Sequence, residues 1–362
     1  MPNLKFAING FGRIGRSSFR VWLKRFQDSL DLVAINTSGS MPVSGWAHLA
    51  KYDTAYRTLD IPLDYREVKP PDKATDEDPL IGYFILGKKD IPILAQRDPE
   101  KLPWKQYQPD AVIESTGVFR TQEEAGKHLT AGAKLVIISA PAKGGNTPTS
   151  VIGVNHQDLL SAPRDRTNSL TVISNASCTT NCVAPVAAVM HAKLGVKKAV
   201  LNTIHGYTDD QNLQDNSHKD LRRARAASAN IVPTSTGAAL ATTETIPDLK
   251  GLFDGIALRV PVITASITDF TFLTQRTTSV DEVNQMFIDA SQSPLYRHVL
   301  AVTQEPLVSS DIIGRPESAI VDLELTRVVD GDLVKIMAWY DNEWGYANRL
   351  IEQVISAGES LS

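Results

Sequence analysis

The stretch LKFAINGFGRIGR (Leu4–Arg16) joins an apolar segment to the beginning of a helical pattern. LKFAIN has the composition of a short buried strand, and residues 13–26 repeat apolar side chains at helical spacing. Between them, Gly10, Gly12 and Gly15 form a G-x-G-x-x-G loop. The first glycine permits a tight turn, the second lets the backbone approach a pyrophosphate, and the third lets helix and strand pack closely. The stretch therefore predicts a dinucleotide-binding βαβ unit, with the helix N-terminus facing phosphate.

Further apolar segments continue this pattern along the first half of the chain. Leu32–Asn36 is predicted to be the second strand, and Asp110–Ser115 and Lys134–Ser139 to be later strands, with a helix at Thr121–Gly132. Apolar strands alternating with helices are typical of a parallel sheet. A polar insert at residues 70–79 is predicted to be a surface loop that leads into a hairpin over residues 81–94.

The second half of the chain has a different pattern of predicted elements. A helix predicted at Thr179–Lys193 is followed by long alternating strands, among them KAVLNTIHGY, GIALRV, SITDFTFLTQ and AIVDLELTRVV–DG–DLVKIMAWY. The Asp-Gly pair in the last of these indicates a hairpin turn. We therefore predict an α/β Rossmann domain at residues 1–177 and an α+β catalytic domain with a mainly antiparallel sheet at 178–341. The amphipathic C-terminal helix, 342–362, is expected to pack back on the first domain.

The bulk composition excludes several classes of protein. In 362 residues, 42% are hydrophobic and 22% charged, and the formal net charge is −4. Such a charge provides no basic field for nucleic acid or a membrane surface, so neither is expected as the main partner. Only two cysteines are present, which fits a reducing compartment, and the N-terminus has no secretory pattern. We expect a cytoplasmic protein.

Both cysteines lie in SNASCTTNC (Ser174–Cys182), where a strand gives way to a helix. A thiol at a helix N-terminus has its thiolate stabilised by the helix dipole, which makes Cys178 a candidate nucleophile. Cys182 lies one turn further and is predicted to be buried. A disulfide is disfavoured because both thiols point the same way along the helix axis, and a metal site because no further ligands stand at metal spacing. His205 ends the next strand and is the candidate partner, with a satisfied core histidine as the alternative.

The strand that should carry a ribose-binding acid has none. A dinucleotide fingerprint expects a carboxylate about 20 residues after the glycines, but the strand ends in Asn36, Thr37 and Ser38. Hydroxyls at this point could donate to a ribose 2′-phosphate, which makes NADP possible. The alternative is that Asn36 alone serves NAD and the hydroxyls only form a turn.

Anion-binding groups surround the candidate nucleophile in sequence. Arg259 interrupts the apolar strand IALRVPV, and a cation in such a place usually meets an anion. The run Arg222–Arg225 could instead be a solvated helical face.

At these residues the chain resembles the glyceraldehyde-3-phosphate dehydrogenase family. The motifs NGFGRIGR, ESTGVF, ISAP, SNASCTTNC, HKDLRRARAA, STGAA, LRVP and WYDNEWGY stand in the family's order over nearly the whole chain. The resemblance implies a homotetramer that uses NADP, NAD or both, a phosphorylated aldehyde and inorganic phosphate. It also implies that Cys178 attacks the aldehyde and that His205 is the base, so that a thioester forms which phosphate cleaves.

The resemblance implies roles for further positions. The expected cofactor residues are Gly10, Gly12, Arg13, Ile14, Gly15, Asn36, Thr37, Ser38, Thr116, Ser139, Ser217 and Asn342, with Ser217 reaching a neighbouring subunit's cofactor. Thr208 and Arg259 match the site for the substrate's phosphate. The inorganic-phosphate site is matched by Ser177, Thr179, Arg223, Thr236 and Gly237.

The chain departs from the family pattern at three places. NAD-specific members have an aspartate where Thr37 stands, Leu240 replaces a common lysine, and Val262–Ser266 replaces T-x-N-V-S. The nearest alternative function is an erythrose-4-phosphate dehydrogenase, in which water releases the product. A non-catalytic RNA-binding role is the alternative from another class, and an intact Cys178 and His205 disfavour it.

Overall fold

The structure of the protein is a computed structural model that describes residues 3–161 and 171–360. The chain divides into two units, the first formed by residues 1–150, 158–176 and 347–362 and the second by 151–157 and 177–346. The sequence predicted boundaries at 177 and 342 and did not assign 151–157 to the second unit. This segment joins it because Gly153 packs against Val299.

The described residues form helices and strands with the following bounds. The helices are α1 (Arg13–Val21), α2 (Val43–Lys51), α3 (Trp104–Tyr107), α4 (Gln122–Ala131), α5 (His156–Ser161), α6 (Cys178–Leu194), α7 (Ala238–Thr245), α8 (Val280–Gln292) and α9 (Trp344–Glu359). The strands of the first unit are β1 (Leu4–Asn9), β2 (Leu30–Thr37), β3 (Tyr52–Asp53), β4 (Arg57–Thr58), β5 (Asp64–Glu67), β6 (Leu80–Leu86), β7 (Lys89–Ala95), β8 (Ala111–Glu114), β9 (Leu135–Ile138) and β10 (Val172–Ser174). The strands of the second unit are β11 (Val196–Gly206), β12 (Val232–Ser235), β13 (Phe253–Val260), β14 (Ser266–Thr274), β15 (Leu300–Thr303), β16 (Ala319–Asp322), β17 (Arg327–Val329) and β18 (Leu333–Tyr340).

The first unit is built on one sheet with the order β10-β9-β8-β1-β2-β7-β6-β5. Strands β10 to β7 run parallel, and the β6–β7 hairpin adds an antiparallel edge. The glycine loop follows β1, so it lies at the carboxyl ends of the parallel strands. Open parallel sheets bind ligands at this edge. Leu170, which the sequence places in the last strand, lies outside the described residues.

Helix α9 contributes its residues from 347 onward to the first unit. Leu350, Ile351 and Val354 are buried along one face, as its amphipathic pattern predicts. At the far end, Gly358 lies so close to Leu4 that an added Cβ would come within 2.9 Å of the leucine side chain. The apolar stripe of this helix thus covers part of the core of the first unit.

The second unit contains a sheet with the order β12-β13-β11-β14-β18-β16-β15, and β17 also pairs with β18. Its ladders are mainly antiparallel, whereas β11–β13 and β15–β16 are parallel. Helices α6, α7 and α8 cover one face and form a single apolar core with the strands. The predicted fold class, a Rossmann domain plus an α+β domain, is confirmed.

One predicted strand is interrupted. The sequence suggests that AIVDLELTRVV is continuous, but it forms β16 and β17 with a 3-10 turn at Leu323–Leu325 between them. Val321 pairs with Ala338, and Arg327 pairs with Lys335. The chain therefore advances six residues from Val321 to Arg327 while β18 advances only three. The three extra residues form the turn. The Asp-Gly hairpin that follows is present, with positive φ at both residues.

Candidate active site

Cys178 is the first residue of α6, and the preceding Ser177 caps the helix. The Ser177 hydroxyl accepts a hydrogen bond of 3.0 Å from the backbone N–H of Thr180. A serine at this position satisfies one of the free N–H groups of the first turn. The half-buried thiol of Cys178 therefore lies where the helix dipole is positive, as the sequence predicted.

His205 lies near the end of β11 and faces the thiol. Its Nε2 is 3.4 Å from Sγ of Cys178, and its Nδ1 is 2.6 Å from the carbonyl oxygen of Gly206. The carbonyl oxygen can only accept and is the nearer of the two neighbours of Nδ1, since Nη1 of Arg259 lies 3.0 Å away and has other acceptors in Gly206 and Thr208. We therefore assign the ring proton to Nδ1. Nε2 then presents its lone pair to the thiol, as a general base must.

Arg259 lies beside His205 because β11 and β13 pair in parallel with these two residues in register. Its Nη1 is 3.0 Å from Nδ1 of His205 and donates to the Gly206 carbonyl at 3.2 Å and to the Thr208 hydroxyl at 3.3 Å. Thr208 and Arg259, which the sequence assigned to one phosphate site, are thus neighbours. A guanidinium next to a hydroxyl is a suitable anion site.

Burial dominates the protonation of Cys178 and His205. It raises the pKa of the Cys178 thiol, an effect that the positive charge of Arg259 opposes. Burial, and then the charge of Arg259, lowers the pKa of His205 to about 3. Both directions favour a neutral thiol beside a neutral imidazole before substrate arrives. The imidazole of His205 is therefore unprotonated at neutral pH.

Cys182 is fully buried and is a packing residue rather than a second reactive thiol. Its sulfur lies 3.9 Å from the Ala338 carbonyl, and burial raises the pKa of the Cys182 thiol. Both cysteines are free. Among the described residues no cluster of three or more metal-ligating side chains is found.

The hydroxyl of Thr179 is hydrogen-bonded within the second unit. The side chain is buried and its hydroxyl is 3.0 Å from that of Tyr340, which in turn lies 2.9 Å from the hydroxyl of Thr203. The phosphate contact of this side chain stays a prediction. Tyr340, whose ring lies edge-on to His205, was missed because hydroxyl pairing across strands leaves no sequence motif.

The other expected phosphate ligands have different surroundings. Arg223 is held by an ion pair with Asp210 and by hydrogen bonds to Thr234, so its guanidinium is already engaged. Thr236 and Gly237 stand at the start of α7, where Thr236 accepts from the backbone of residue 238. Nothing lies within 4 Å of a Cβ built on Gly237, which leaves room for a ligand.

Asn342 has its side chain fixed in orientation. Its Oδ1 accepts hydrogen bonds from Ser266 at 3.0 Å and from Thr264 at 3.4 Å. This arrangement leaves the amino group to donate to a carboxamide, as the predicted role requires. Thr264 belongs to the segment that departs from the family pattern, so the departure supports Asn342 directly. Leu240, the other departure, is exposed.

The glycine loop fits a dinucleotide. Gly10 has φ +94°, and a Cβ there would lie 2.7 Å from the backbone nitrogen of Thr116. A Cβ on Gly15 would overlap the Gly10 carbonyl, whereas Gly12 has open space within 4 Å. Gly12 is the N-cap of α1 without a capping side chain, so N–H groups face the loop. These residues can hold the pyrophosphate of NAD or NADP.

The end of β2 differs from the expectation. The Asn36 amide donates to Asn9 Oδ1 at 2.6 Å and to the Gln96 carbonyl at 2.7 Å, and its oxygen accepts from the Gln96 backbone. Thr37 is only 2% exposed and its hydroxyl donates to the Leu94 carbonyl at 2.9 Å. Neither side chain is free for a ribose, so their predicted contacts are not supported. Ser38 is exposed and its hydroxyl donates to that of Ser40 at 2.9 Å, so unlike Thr37 it is a candidate donor that a ligand can reach from solvent.

The remaining cofactor candidates belong to both units. Thr116 is exposed but its hydroxyl donates to Glu114, and Ser139 is half-buried just after β9. Arg13 forms an ion pair with Asp53 and Ile14 is half-buried. Ser217, in the second unit, is exposed.

Arg97 was missed by the sequence reasoning. It follows Gln96, whose backbone holds Asn36, and lies two residues after Ala95, the partner of Thr37 in the β2–β7 ladder. Its side chain is exposed, and no ion pair of Arg97 is found in residues 3–161 and 171–360. An arginine two residues past an adjacent strand end is the signal that could have identified it.

Comparison with known proteins agrees with this geometry. The family model described as glyceraldehyde 3-phosphate dehydrogenase, NAD binding domain, matches residues 4–122, and the C-terminal domain of the same family matches residues 177–342. Glyceraldehyde-3-phosphate dehydrogenase 2 of Trichormus variabilis is 48% identical over 96% of this chain and 97% of its own length. Similar proteins are glyceraldehyde-3-phosphate dehydrogenase of Zymomonas mobilis (46%, 99% of both chains) and the A, chloroplastic, form of Chlamydomonas reinhardtii (45%, 96% of this chain and 87% of the relative).

Proposed function

The chain belongs to the glyceraldehyde-3-phosphate dehydrogenase family, and from this premise we propose that Cys178 and His205 carry its chemistry as nucleophile and base. The protein is an NAD(P)-dependent oxidoreductase that converts glyceraldehyde 3-phosphate and phosphate to 1,3-bisphosphoglycerate. The observation that carries the assignment of roles is the 3.4 Å separation between Sγ of Cys178 and Nε2 of His205.

In the first step Nε2 of His205 takes the thiol proton while the sulfur attacks the aldehyde carbon. A carbon–sulfur bond forms, and the carbonyl electrons move to oxygen to give a thiohemiacetal. Cys178 is the first helical residue, so its backbone N–H has no acceptor within the helix and can stabilise the developing oxyanion. The imidazolium of His205 is the second donor, and it protonates this oxygen.

Oxidation of the thiohemiacetal gives a thioester. His205, neutral again, removes the hydroxyl proton as the carbonyl re-forms. The cofactor, when bound, supplies the acceptor for the hydride that leaves the carbon. Because burial holds the pKa of His205 low, the imidazole returns to its neutral form at once at neutral pH. One residue thus serves both proton transfers.

Phosphate then cleaves the thioester. A phosphate oxygen bonds to the acyl carbon, the carbon–sulfur bond breaks, and its electron pair returns to Sγ of Cys178. Arg259 stabilises this thiolate through its positive charge. We assign the substrate's phosphate to Thr208 and Arg259. The inorganic phosphate is assigned to Ser177, Thr236 and Gly237.

We also propose that the protein accepts NADP. No acid stands at the end of β2, and the exposed Ser38 and Arg97 supply a hydroxyl and a cation there. A ribose 2′-phosphate would be attracted to this pair, whereas a carboxylate would repel it. Ser217 is proposed to add a donor from a neighbouring subunit.

Assembly as a homotetramer is part of the same proposal. Val200 and Ile256 are 58% and 55% exposed on the sheet of the second unit, on the face away from the apolar core. Neighbouring apolar side chains of this kind mark an interface. We expect a mass of about four times 39.5 kDa in light scattering; a monomer would contradict the assembly. Action in the cytoplasm is supported by the two free thiols. No helix within the described residues is long and apolar enough to cross a membrane.

The reduction of NAD and NADP, measured with glyceraldehyde 3-phosphate in the presence and absence of phosphate, tests the function. We expect turnover that depends on phosphate, and its loss in Cys178→Ser but not in Cys182→Ala. Equal turnover without phosphate, together with a preference for erythrose 4-phosphate, would instead favour the hydrolysing alternative.

A further inference from the structure

A continuous row of buried polar side chains crosses the carboxyl ends of four strands beneath the glycine loop. Glu114 ends β8, Asn9 ends β1, Asn36 lies in β2 and Gln96 follows β7. His128 from α4 closes the row at its β8 end. These five residues are at most 7% exposed. The proposed reaction uses none of them chemically, yet polar groups so deeply buried lower stability unless each is paired.

The row centres on the Glu114 carboxylate, which accepts from four donors. Oε1 accepts from the backbone N–H of Thr116 at 2.8 Å and from its hydroxyl. Oε2 accepts from the Asn9 amide and lies 3.0 Å from Nε2 of His128. The indole N–H of Trp104, which can only donate, lies 2.9 Å from Nδ1 of His128. Nδ1 therefore accepts, and Nε2 carries the proton given to Glu114.

Only a carboxylate can fill this position. It offers acceptor sites on both oxygens and carries no donor, whereas the isosteric glutamine amide would bring its NH₂ against one of the four donors. No lysine or arginine forms an ion pair with Glu114 in the described ranges. A negative charge buried without a cation is costly for folding. A charge retained at this cost is expected to hold neighbouring groups in position.

The carboxylate fixes the segment that borders the glycine loop. The N–H and hydroxyl of Thr116 both point to Glu114, and the Thr116 nitrogen is the atom that a Cβ on Gly10 would approach to 2.7 Å. The neighbouring Ser115 hydroxyl donates to the Gly10 carbonyl at 2.7 Å. On the other side, the Asn9 amide is held by Glu114, and its oxygen accepts a hydrogen bond from the Asn36 amide, which fixes the orientation of Asn36. The Glu114 carboxylate thus holds in place Thr116 and Asn9, the residues on the two sides of the glycine loop.

We propose that Glu114 is a positioning residue for the dinucleotide, which acts by holding Thr116 and Asn9 against the glycine loop. The inference rests on the proposed use of NAD(P) by the first unit. Loss of the carboxylate loosens the loop before any ligand binds, so that part of the binding free energy is used to order it. The effect concerns the dinucleotide as a whole and is equal for NAD and NADP.

The test compares Glu114→Gln with Glu123→Gln, an exposed glutamate on the same helical segment as His128. We expect Glu114→Gln to raise the Kd of NAD and of NADP about 10-fold or more in calorimetry, with kcat at saturating cofactor within about twofold. Amide exchange at Thr116 in the cofactor-free protein should accelerate, and the rate of Cys178 alkylation should not change. Glu123→Gln should behave as the wild type.

A second pair of variants keeps the test decisive if Glu114→Gln unfolds. His128→Leu removes one donor to Glu114 and should raise both Kd values several-fold, whereas His128→Gln, which restores an N–H at the same reach, should recover most of the affinity. A loss of thermal stability in these variants without any change in Kd would overturn the inference. Wild-type protein that binds neither nucleotide would instead overturn the proposed function.

Discussion

Sγ of Cys178 and Nε2 of His205 lie 3.4 Å apart, with the second ring nitrogen tied to the Gly206 carbonyl. Burial disfavours charge on both groups, because it raises the pKa of the thiol and lowers that of the imidazole. The thiol and the imidazole are therefore both neutral before substrate binds, and they become charged when the sulfur attacks. The base is needed for this step, since a thiol with a raised pKa is a poor nucleophile by itself.

Removal of the base should slow both catalysis and thiol modification. We expect His205→Asn to lower kcat by about 10²–10⁴-fold, the usual range for a general base. Alkylation of Cys178 by iodoacetamide at pH 7 should slow as well, because no group remains to take the proton. Cys182→Ala is the matched control: it should leave the stoichiometry of labelling at one thiol per chain. Unchanged alkylation in His205→Asn would contradict the assignment.

The low pKa of His205 should make the protein sensitive to acid. The unfolded imidazole has a pKa of about 6.5, and burial lowers the folded value to about 3. Between these values the unfolded chain binds a proton that the folded chain does not, so stability falls as pH decreases below about 6.5 and the loss ends near about pH 3. At pH 4.5 we expect a loss on the order of 2–3 kcal/mol.

Urea unfolding of the wild type and His205→Asn at pH 7.5, 5.5 and 4.5 measures this difference. Carboxylates titrate alike in both proteins, so the change in the difference between them reports His205 alone. A constant difference across the three pH values would show that the folded imidazole protonates normally.

Arg259 should matter for both the substrate and the thiolate. We expect Arg259→Leu to raise the KM for glyceraldehyde 3-phosphate at least about 10-fold, because a charge-assisted contact to phosphate is lost. Alkylation of Cys178 should also slow, since the positive charge favours the thiolate. Arg222→Leu removes an exposed arginine of the same unit and should change neither quantity. A normal KM in Arg259→Leu would exclude the phosphate contact.

A methyl group added to Gly12 should affect nucleotide binding, whereas one added to Gly15 should affect stability. In Gly15→Ala the Cβ overlaps the Gly10 carbonyl, so we expect a lower Tm. In Gly12→Ala the Cβ enters open space, so the Tm should be kept, but the Kd of NAD(P) should rise about 10-fold or more because the backbone can no longer approach the pyrophosphate. Scanning calorimetry with and without nucleotide separates the two effects. Tight binding by Gly12→Ala would place the pyrophosphate elsewhere.

Cofactor preference should depend on exposed residues rather than on Thr37. We expect Thr37→Val to leave the NADP to NAD ratio of kcat/KM within about twofold, because its hydroxyl serves the Leu94 carbonyl. Ser38→Ala and Arg97→Gln should each lower that ratio several-fold by removing a donor or a charge. The ratio is measured from initial rates at subsaturating cofactor. A selective loss of NADP use in Thr37→Val would restore the hydroxyl as a ligand.

Backbone placement was more predictable than side-chain partnership. The glycine loop, the capped start of α6 and the end of β11 follow from local pattern, and these fix Gly10, Cys178 and His205. The hydrogen bonds of the Thr37 and Thr179 hydroxyls join residues 57 and 161 positions apart. Such partners depend on strand order and register, which a single sequence does not specify. The turn at Leu323–Leu325 was missed for the same reason, since it arises from pairing with β18.

The engagement of Thr37 with the Leu94 carbonyl has an evolutionary consequence. The position at which NAD-specific members carry an aspartate holds the buried Thr37, whose hydroxyl donates to a backbone carbonyl, so in our proposal discrimination between the two nucleotides lies with Ser38 and Arg97 on the surface. Substitutions at exposed positions usually change the free energy of unfolding by less than about 0.5 kcal/mol. This enzyme can therefore change its coenzyme through a few surface substitutions, without compensating mutations in its core.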